Sequence, residues 1–390
     1  MKEQNIQFFD TTLRDGEQTI GVNFSIENKV AIAKQLENWG VDVIEAGFPA
    51  ASPEDFKAVQ AVAEAVDHAC VTGLARSKQS DIDACYEATK NAKHKQVHVF
   101  IATSPIHREY KLHMTKAQNL AAIQASVSYA KQFFDQVQFS PEDATRTEPD
   151  YLVQAINTAI DAGATVINIA DTVGYTNPVE FGKLFDYLQA NVPKFNETIF
   201  SVHCHNDLGM ANANALAGVE HGATRIEGTI NGIGERAGNT ALEEIAVAMS
   251  VRKDYYHDSN QIDLQQTKKT CDLISQLTNM PIPNNKAVVG SNAFSHESGI
   301  HQDGMLKNAS TYEILTPESV GMGTTVLPLG KLSGSHAVMN RIQSLGYQVS
   351  KEDMKVIFPL FKNKADQKAI IDNEDLKQIM KTYQEVPVHE

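Results

Sequence analysis

The run Ile199–Phe200–Ser201–Val202–His203–Cys204–His205–Asn206–Asp207 reads as a buried strand with reactive side chains at its end. Strand side chains alternate between faces, so His203 and His205 point one way and Cys204 the other. Two imidazoles leaving one strand end are a usual half-site for a divalent transition metal. The same pattern also serves as plain structure, so its weight depends on what surrounds it.

Seven further runs of the same kind lie on either side of it. Strands are expected near Ile6–Asp10, Val43–Phe48, Ala69–Leu74, Gln96–Ala102, Val137–Ser140, Val166–Ala170, Phe200–His205 and Arg225–Ile230. Helix signals fall between them. Ser25 opens a periodic stretch to Trp39 that Gly40 closes. Ser52–Pro53 and Asn177–Pro178 each put a capping residue before a proline at the first helical position. Thr115 and Gln118 fit a capping box. Eight strand–helix units in roughly 250 residues predict a TIM (β/α)8 barrel. A doubly wound open sheet has the same rhythm and stays as the alternative.

The rhythm stops after about Arg252. Helices are expected over Leu264–Leu277, Ser335–Leu345 and Glu374–Tyr383, with a break at Pro281–Asn285 and an irregular stretch over Gly290–Tyr312. The chain therefore divides into a catalytic barrel over residues 1–255, a linker region with lid residues over 256–315 and a small helical subdomain over 316–390.

Composition narrows the function. The 390 residues are 42% hydrophobic and carry a net charge of −14, with no basic cluster of the kind that binds nucleic acid. No apolar run approaches a membrane span, and Met1–Asn5 lacks the apolar stretch of a signal peptide. Cys70, Cys85, Cys204 and Cys271 are widely spaced, which fits a reducing cytoplasm.

In a TIM barrel the active site lies at the C-terminal ends of the strands. Arg14 and Asp15 follow the first strand, and His98 lies in the fourth. Ser140 and Glu142 follow the fifth, and Asn168, Asp171 and Thr172 close the sixth. His203 and His205 end the seventh; Glu235 and Asn239 follow the eighth. A carboxylate, two imidazoles and an amide oxygen suit Mn²⁺, Zn²⁺, Fe²⁺ or Mg²⁺ with positions left open. A cation of that kind polarises a carbonyl, and Arg14 can reach the same oxygen or a carboxylate. A cation chelated by a 2-oxo acid is the natural reading. Each residue also has a structural reading. Asp15 could cap the turn before Ser25, and Arg14 could pair with Glu45 or Glu227. Glu142 and Asp143 could form a solvated loop, and Thr172 could satisfy turn backbone. Gly232, Gly234 and Gly238 are out of register for a dinucleotide fingerprint and suit close backbone approach instead. A second cluster, His296, Glu297, His301 and Asp303, is read as acid–base chemistry by a histidine that a carboxylate orients, with Tyr312 as a phenolic partner. A second metal site or a solvated loop is the alternative.

Three segments carry a resemblance: Asp10–Gln18, His203–Gly209 and Asn231–Asn239. They resemble the signatures of the 2-isopropylmalate synthase and homocitrate synthase family, and His296–Gly304 is similar to the 2-isopropylmalate synthase branch. The resemblance spans nearly the whole chain. It implies an acyltransferase that performs a Claisen condensation of acetyl-CoA with 3-methyl-2-oxobutanoate, on the way to leucine. It implies a divalent cation, Mn²⁺ ahead of Mg²⁺ or Zn²⁺, on Asp15, His203, His205 and Asn239. It places Arg14, His98, Ser140, Glu142, Asn168 and Thr172 around the 2-oxo acid, and gives proton transfer to His301, Tyr312 and Glu235. It also implies a homodimer in which the post-barrel region of one copy covers the barrel mouth of the other. Leucine-regulated members continue into a C-terminal regulatory domain, which does not follow Glu390 in this sequence; a truncated chain and a short member are the two readings, and inhibition by leucine is expected to be absent from the chain as given. Gly330–His336 departs from the family pattern at Leu332 and Ser335. Homocitrate or citramalate synthesis, a metal-dependent aldol lyase on the same barrel, and an inactive binding module are the rival readings.

Overall fold

A computed structural model of the chain describes residues 5–257 and 260–385. Met1–Gln4 of the Met1–Asn5 stretch, read as lacking a signal peptide, and the last residues of the expected helical subdomain lie outside these. The described residues form two compact units, dividing between Ile282 and Pro283.

The first unit is a closed barrel. Its parallel strands are β1 (Gln7–Asp10), β2 (Val43–Glu45), β3 (Cys70–Arg76), β4 (Lys95–Ala102), β5 (Gln136–Glu142), β6 (Val166–Asp171), β7 (Ile199–Cys204) and β8 (Arg225–Gly228). They pair in sequence order, and β1 closes the ring by pairing with β8, Phe9 opposite Glu227. Closure decides against the open sheet. The helical start signals act as read. Ser25 Oγ accepts from Asn28 N, Ser52 Oγ accepts from Asp55 N, and Thr115–Gln118 and Asn177–Glu180 form capping boxes.

Strand alternation sorts core from site. On β7, Phe200 stacks on Phe195 and Val202 fills the space that a side chain at Gly218 would need, so both face the helices. Ser201 and His203 therefore face the barrel axis. On β1, Phe8 meets Trp39 edge-on among the helices, while Phe9 turns inward against His98. The interior of this barrel is partly polar: Gln7, Glu45, Gln138, Arg225 and Glu227 are bonded to one another or to site residues inside it. The helix Thr267–Thr278 also belongs to the first unit. Trp39 Nε1 donates to Thr267 Oγ1, and Gln35 to Thr270 Oγ1.

The second unit builds its own core from Leu329, Val338, Ile342, Ile357, Phe361 and Leu376. It contains helices Gly299–Lys307, Ser335–Ser344, Met354–Ala365 and Asn373–Glu385. The first of these corrects the irregular reading of Gly290–Tyr312. Glycines at positions 299 and 304 hide it from propensity. The turn is held instead by Gln302, whose buried amide donates to the carbonyls of His296 and Pro328.

Candidate active site

The loop after β1 is anchored from below and from the side. The Asp10 carboxylate accepts from the backbone and hydroxyl of Thr12, and Thr12 Oγ1 in turn accepts from Ile230 N. Burial pushes Asp10 up to about 7, against the pull of Thr12. Buried Lys29 donates to Leu13 O and pairs with Glu17. Held this way, the loop projects Arg14 and Asp15 over the barrel mouth.

Asp15 there meets the ends of β7. Its Oδ2 lies 3.2 Å from His203 Nε2 and 3.7 Å from His205 Nε2, and the two nitrogens are 3.2 Å apart. All three side chains are buried. An ion with bonds of about 2.1 Å holds adjacent ligand atoms roughly 3.0–3.4 Å apart, the octahedral and tetrahedral limits. Two imidazole nitrogens that close beside a carboxylate need a proton or a metal ion between them. Burial disfavours charge on both rings. At His203, Asp15 and Glu227 outweigh it and lift the ring to about 9, whereas burial and His203 push His205 down to about 3. A divalent cation satisfies the same demand with both rings neutral.

The fourth expected donor comes from the loop after β8. Asn239 bridges His205 across an antiparallel pair, and its Nδ2 donates to Ile233 O. That leaves Asn239 Oδ1 buried with no hydrogen-bond partner, as is Asp15 Oδ1. Orphaned oxygens of this kind fit a cation. The glycines of this loop make the approach possible. Gly234 and Gly238 have φ of +154° and +92°, and a Cβ at either would overlap Asn239 Nδ2 or Gly232 O.

A directed chain of hydrogen bonds leads away from this cluster. Arg14 Nη1 donates to Asp15 Oδ2 at 2.8 Å and Arg14 Nε to Glu45 Oε2 at 2.6 Å. Glu45 Oε1 sits 2.6 Å from His98 Nδ1, and a carboxylate only accepts, so Nδ1 carries the proton. His98 Nε2 lies 2.5 Å from Ser140 Oγ, which accepts from Asn168 Nδ2 at 2.9 Å. Burial raises the Glu45 carboxyl, but Arg14 and His98 outweigh it and hold it at about 2, below its ordinary 4.5. Glu45 therefore stabilises the fold above pH 4.5, by about 3 kcal/mol from the size of that shift. The contribution is lost as pH falls from 4.5 toward 2. Thermal denaturation across that window is expected to show a steep acid limb in the wild type and a shallower one in Glu45→Gln.

Arg14, Asp15, His98, Ser140, Glu142, Asn168, Thr172, His203, His205 and Glu235 line one cavity of about 280 Å³, with Leu74, Phe100 and Ala170 as apolar wall. Some structural readings hold alongside. Arg14 does pair with Glu45, and Thr172 Oγ1 does accept from Asp143 N, leaving its hydroxyl proton to donate. Asp143 is buried against Arg146 rather than solvated, and Lys111 holds Glu142. Asp171 organises its loop, accepting from Thr145, Tyr175 and Thr176.

His301 and Tyr312 belong to the second unit, where their rings stack at 4.1 Å. Two histidines meet carboxylates there: His296 lies 3.3 Å from Glu313 Oε1, and His336 Nδ1 lies 3.4 Å from Asp303 Oδ1. The expectation of a carboxylate-oriented histidine thus falls on His296 and His336, and His301 is backed by a phenol. Sequence reading missed Glu227, Gln138 and Arg225 as parts of the site. Their signal was a charged or amide side chain at the inward positions of a strand.

The fold and this donor set define a (β/α)8 enzyme whose Asp15, His203 and His205 could hold a metal ion at the barrel mouth. A family model described as HMGL-like matches residues 5–274, and one described as homocitrate synthase post-HMGL domain-like matches residues 288–369. The 2-isopropylmalate synthase of Listeria innocua is 59% identical over 377 residues, covering 97% of this chain and 74% of its own. That of Staphylococcus epidermidis is 60% identical over 378 residues with the same coverage. The chain belongs to the 2-isopropylmalate synthase family. Among solved structures, the hydroxymethylglutaryl-CoA lyase of Pseudomonas aeruginosa superimposes with a TM-score of 0.62 at 17% identity, over 72% of this chain and 95% of that one. An HMG-CoA lyase of Acinetobacter baumannii, solved with coenzyme A and 3-methylmalate, gives 0.60 at 21%, over 72% and 93%. These two share the fold.

Proposed function

We propose that this enzyme condenses acetyl-CoA with 3-methyl-2-oxobutanoate to give 2-isopropylmalate and coenzyme A, the first committed step toward leucine. The observation that carries the reading is the single cavity that joins the Asp15–His203–His205 cluster to Arg14 and an apolar wall. Asp15, His203, His205 and Asn239 would hold a divalent cation, Mn²⁺ ahead of Mg²⁺ or Zn²⁺. Such an ion supplies Lewis-acid polarisation of a ketone.

The chain's own residues do the rest. Arg14 spends two N–H groups on Glu45 and Asp15, and its remaining N–H groups donate to the 2-oxo acid. Thr172 offers its hydroxyl proton to the acid's carboxylate. Leu74, Phe100 and Ala170 receive the branched side chain. His301 takes a proton from the acetyl methyl group, with Glu235 as its rival, and the new carbon–carbon bond forms as the ketone π-electrons move to oxygen. Tyr312 returns a proton to that oxygen. Water then cleaves the thioester and frees the thiol. The reading includes a homodimer in which the second unit of one copy supplies His301 and Tyr312 to the other, working in the cytoplasm. Among the described residues no helix is long and apolar enough to cross a membrane, and none of the four cysteines is in a disulfide.

Thiol release measured across a panel of 2-oxo acids tests this. The highest kcat/KM is expected with 3-methyl-2-oxobutanoate. One methylene is worth about 10–200-fold, enough to rank the panel. A preference for 2-oxoglutarate or pyruvate would move the assignment to homocitrate or citramalate synthesis.

A further inference from the structure

We propose that Glu227, with Arg225 behind it, is a positioning residue that fixes how His203 and Asn168 face the cavity. The inference rests on the cation-site reading given above. Glu227 is fully buried at an inward position of β8. Its two oxygens have separate tasks. Oε1 accepts from Gln138 Nε2 at 2.8 Å and from Ser201 Oγ at 2.9 Å. Oε2 accepts from Asn168 Nδ2 at 3.2 Å and lies 3.4 Å from His203 Nδ1.

A carboxylate has no proton to give, so every group facing Oε2 must bring one. His203 meets that demand by carrying its proton on Nδ1, which turns the lone pair of Nε2 toward Asp15 and His205. Asn168 meets it by turning its NH₂ to Glu227 and Ser140, which leaves Oδ1 facing away, buried and without a partner. One buried charge thus sets the tautomer of a cation ligand and the orientation of an amide in the acceptor cradle. The charge itself is balanced at one remove. Arg225, also buried, donates to Gln138 Oε1 at 2.9 Å, and the same amide donates onward to Glu227. Carboxylate partners behind metal-bound histidines typically contribute 10–100-fold to metal affinity.

Glu227→Gln keeps the shape but replaces one oxygen with NH₂. In either orientation that amide opposes a donor, His203 and Asn168 on one side or Gln138 on the other. Titration of the purified full chain with Mn²⁺ is expected to show affinity about 10–100-fold weaker in Glu227→Gln. Ser201→Ala, which touches only Oε1, should stay within about twofold of wild type. Unaltered Mn²⁺ affinity in Glu227→Gln overturns the proposal. A second measurement needs no variant. In Zn²⁺-loaded wild type labelled with ¹⁵N-histidine, the His203 ring should show a protonated Nδ1 and a metal-bound Nε2; a protonated Nε2 overturns the proposal. Both readouts are taken without substrate, so they stand apart from the 2-oxo acid panel. Failure of the wild type to bind Mn²⁺ or Zn²⁺ would overturn the cation-site reading itself.

Discussion

Arg14→Lys is expected to lower turnover by about 10²–10³-fold, the usual cost of losing one placed donor. The guanidinium holds Glu45 with Nε and Asp15 with Nη1, and still has N–H groups for the substrate. A lysine ammonium is one point on a flexible stem and cannot span both carboxylates while facing the cavity. Because the positive charge remains beside Glu45, no buried carboxylate is left unpaired and the fold should persist. Far-UV circular dichroism should be unchanged and Mn²⁺ affinity altered only a few-fold. Near-wild-type thiol release in this variant would remove Arg14 from the chemistry.

Removal of the cation is expected to have the larger effect. Dialysis against a chelator should abolish thiol release from acetyl-CoA, and added Mn²⁺ should restore it. Asp15, His203 and His205 face one another at 3.2–3.7 Å, and Arg14 Nη1 donates to the same Asp15 oxygen. Binding only the folded state, an ion at a hundred times its Kd adds about 2.7 kcal/mol, so Tm should rise on adding Mn²⁺. Full activity after exhaustive chelation would contradict the assignment.

Much of this was legible because local rules and tertiary packing agree. Ser25, Ser52, Thr115 and Asn177 cap helices by the hydrogen bonds their side chains favour. The strand set was found within a few residues, the largest overrun being Val43–Phe48, where the strand stops at Glu45. Alternation placed His203 and His205 on one face without any knowledge of the barrel. Residues whose role depends on distant partners were harder to read. Glu45 and Glu227 are buried charges whose meaning comes from Arg14, His98 and Arg225, remote in sequence. Read alone, each is no more than a possible partner for Arg14, since acids are rarely buried unless paired. The helix Gly299–Lys307 was lost for the same reason: Gln302 holds it through Pro328 and His296, not through its own propensity.

The most direct test of the account is a crystal of the Mn²⁺-loaded chain measured at the manganese absorption edge. One anomalous peak per chain is predicted, within bonding distance of Asp15 and both imidazoles of β7's end. A peak elsewhere, or none between those three side chains, would leave the proposed reaction without its electrophile.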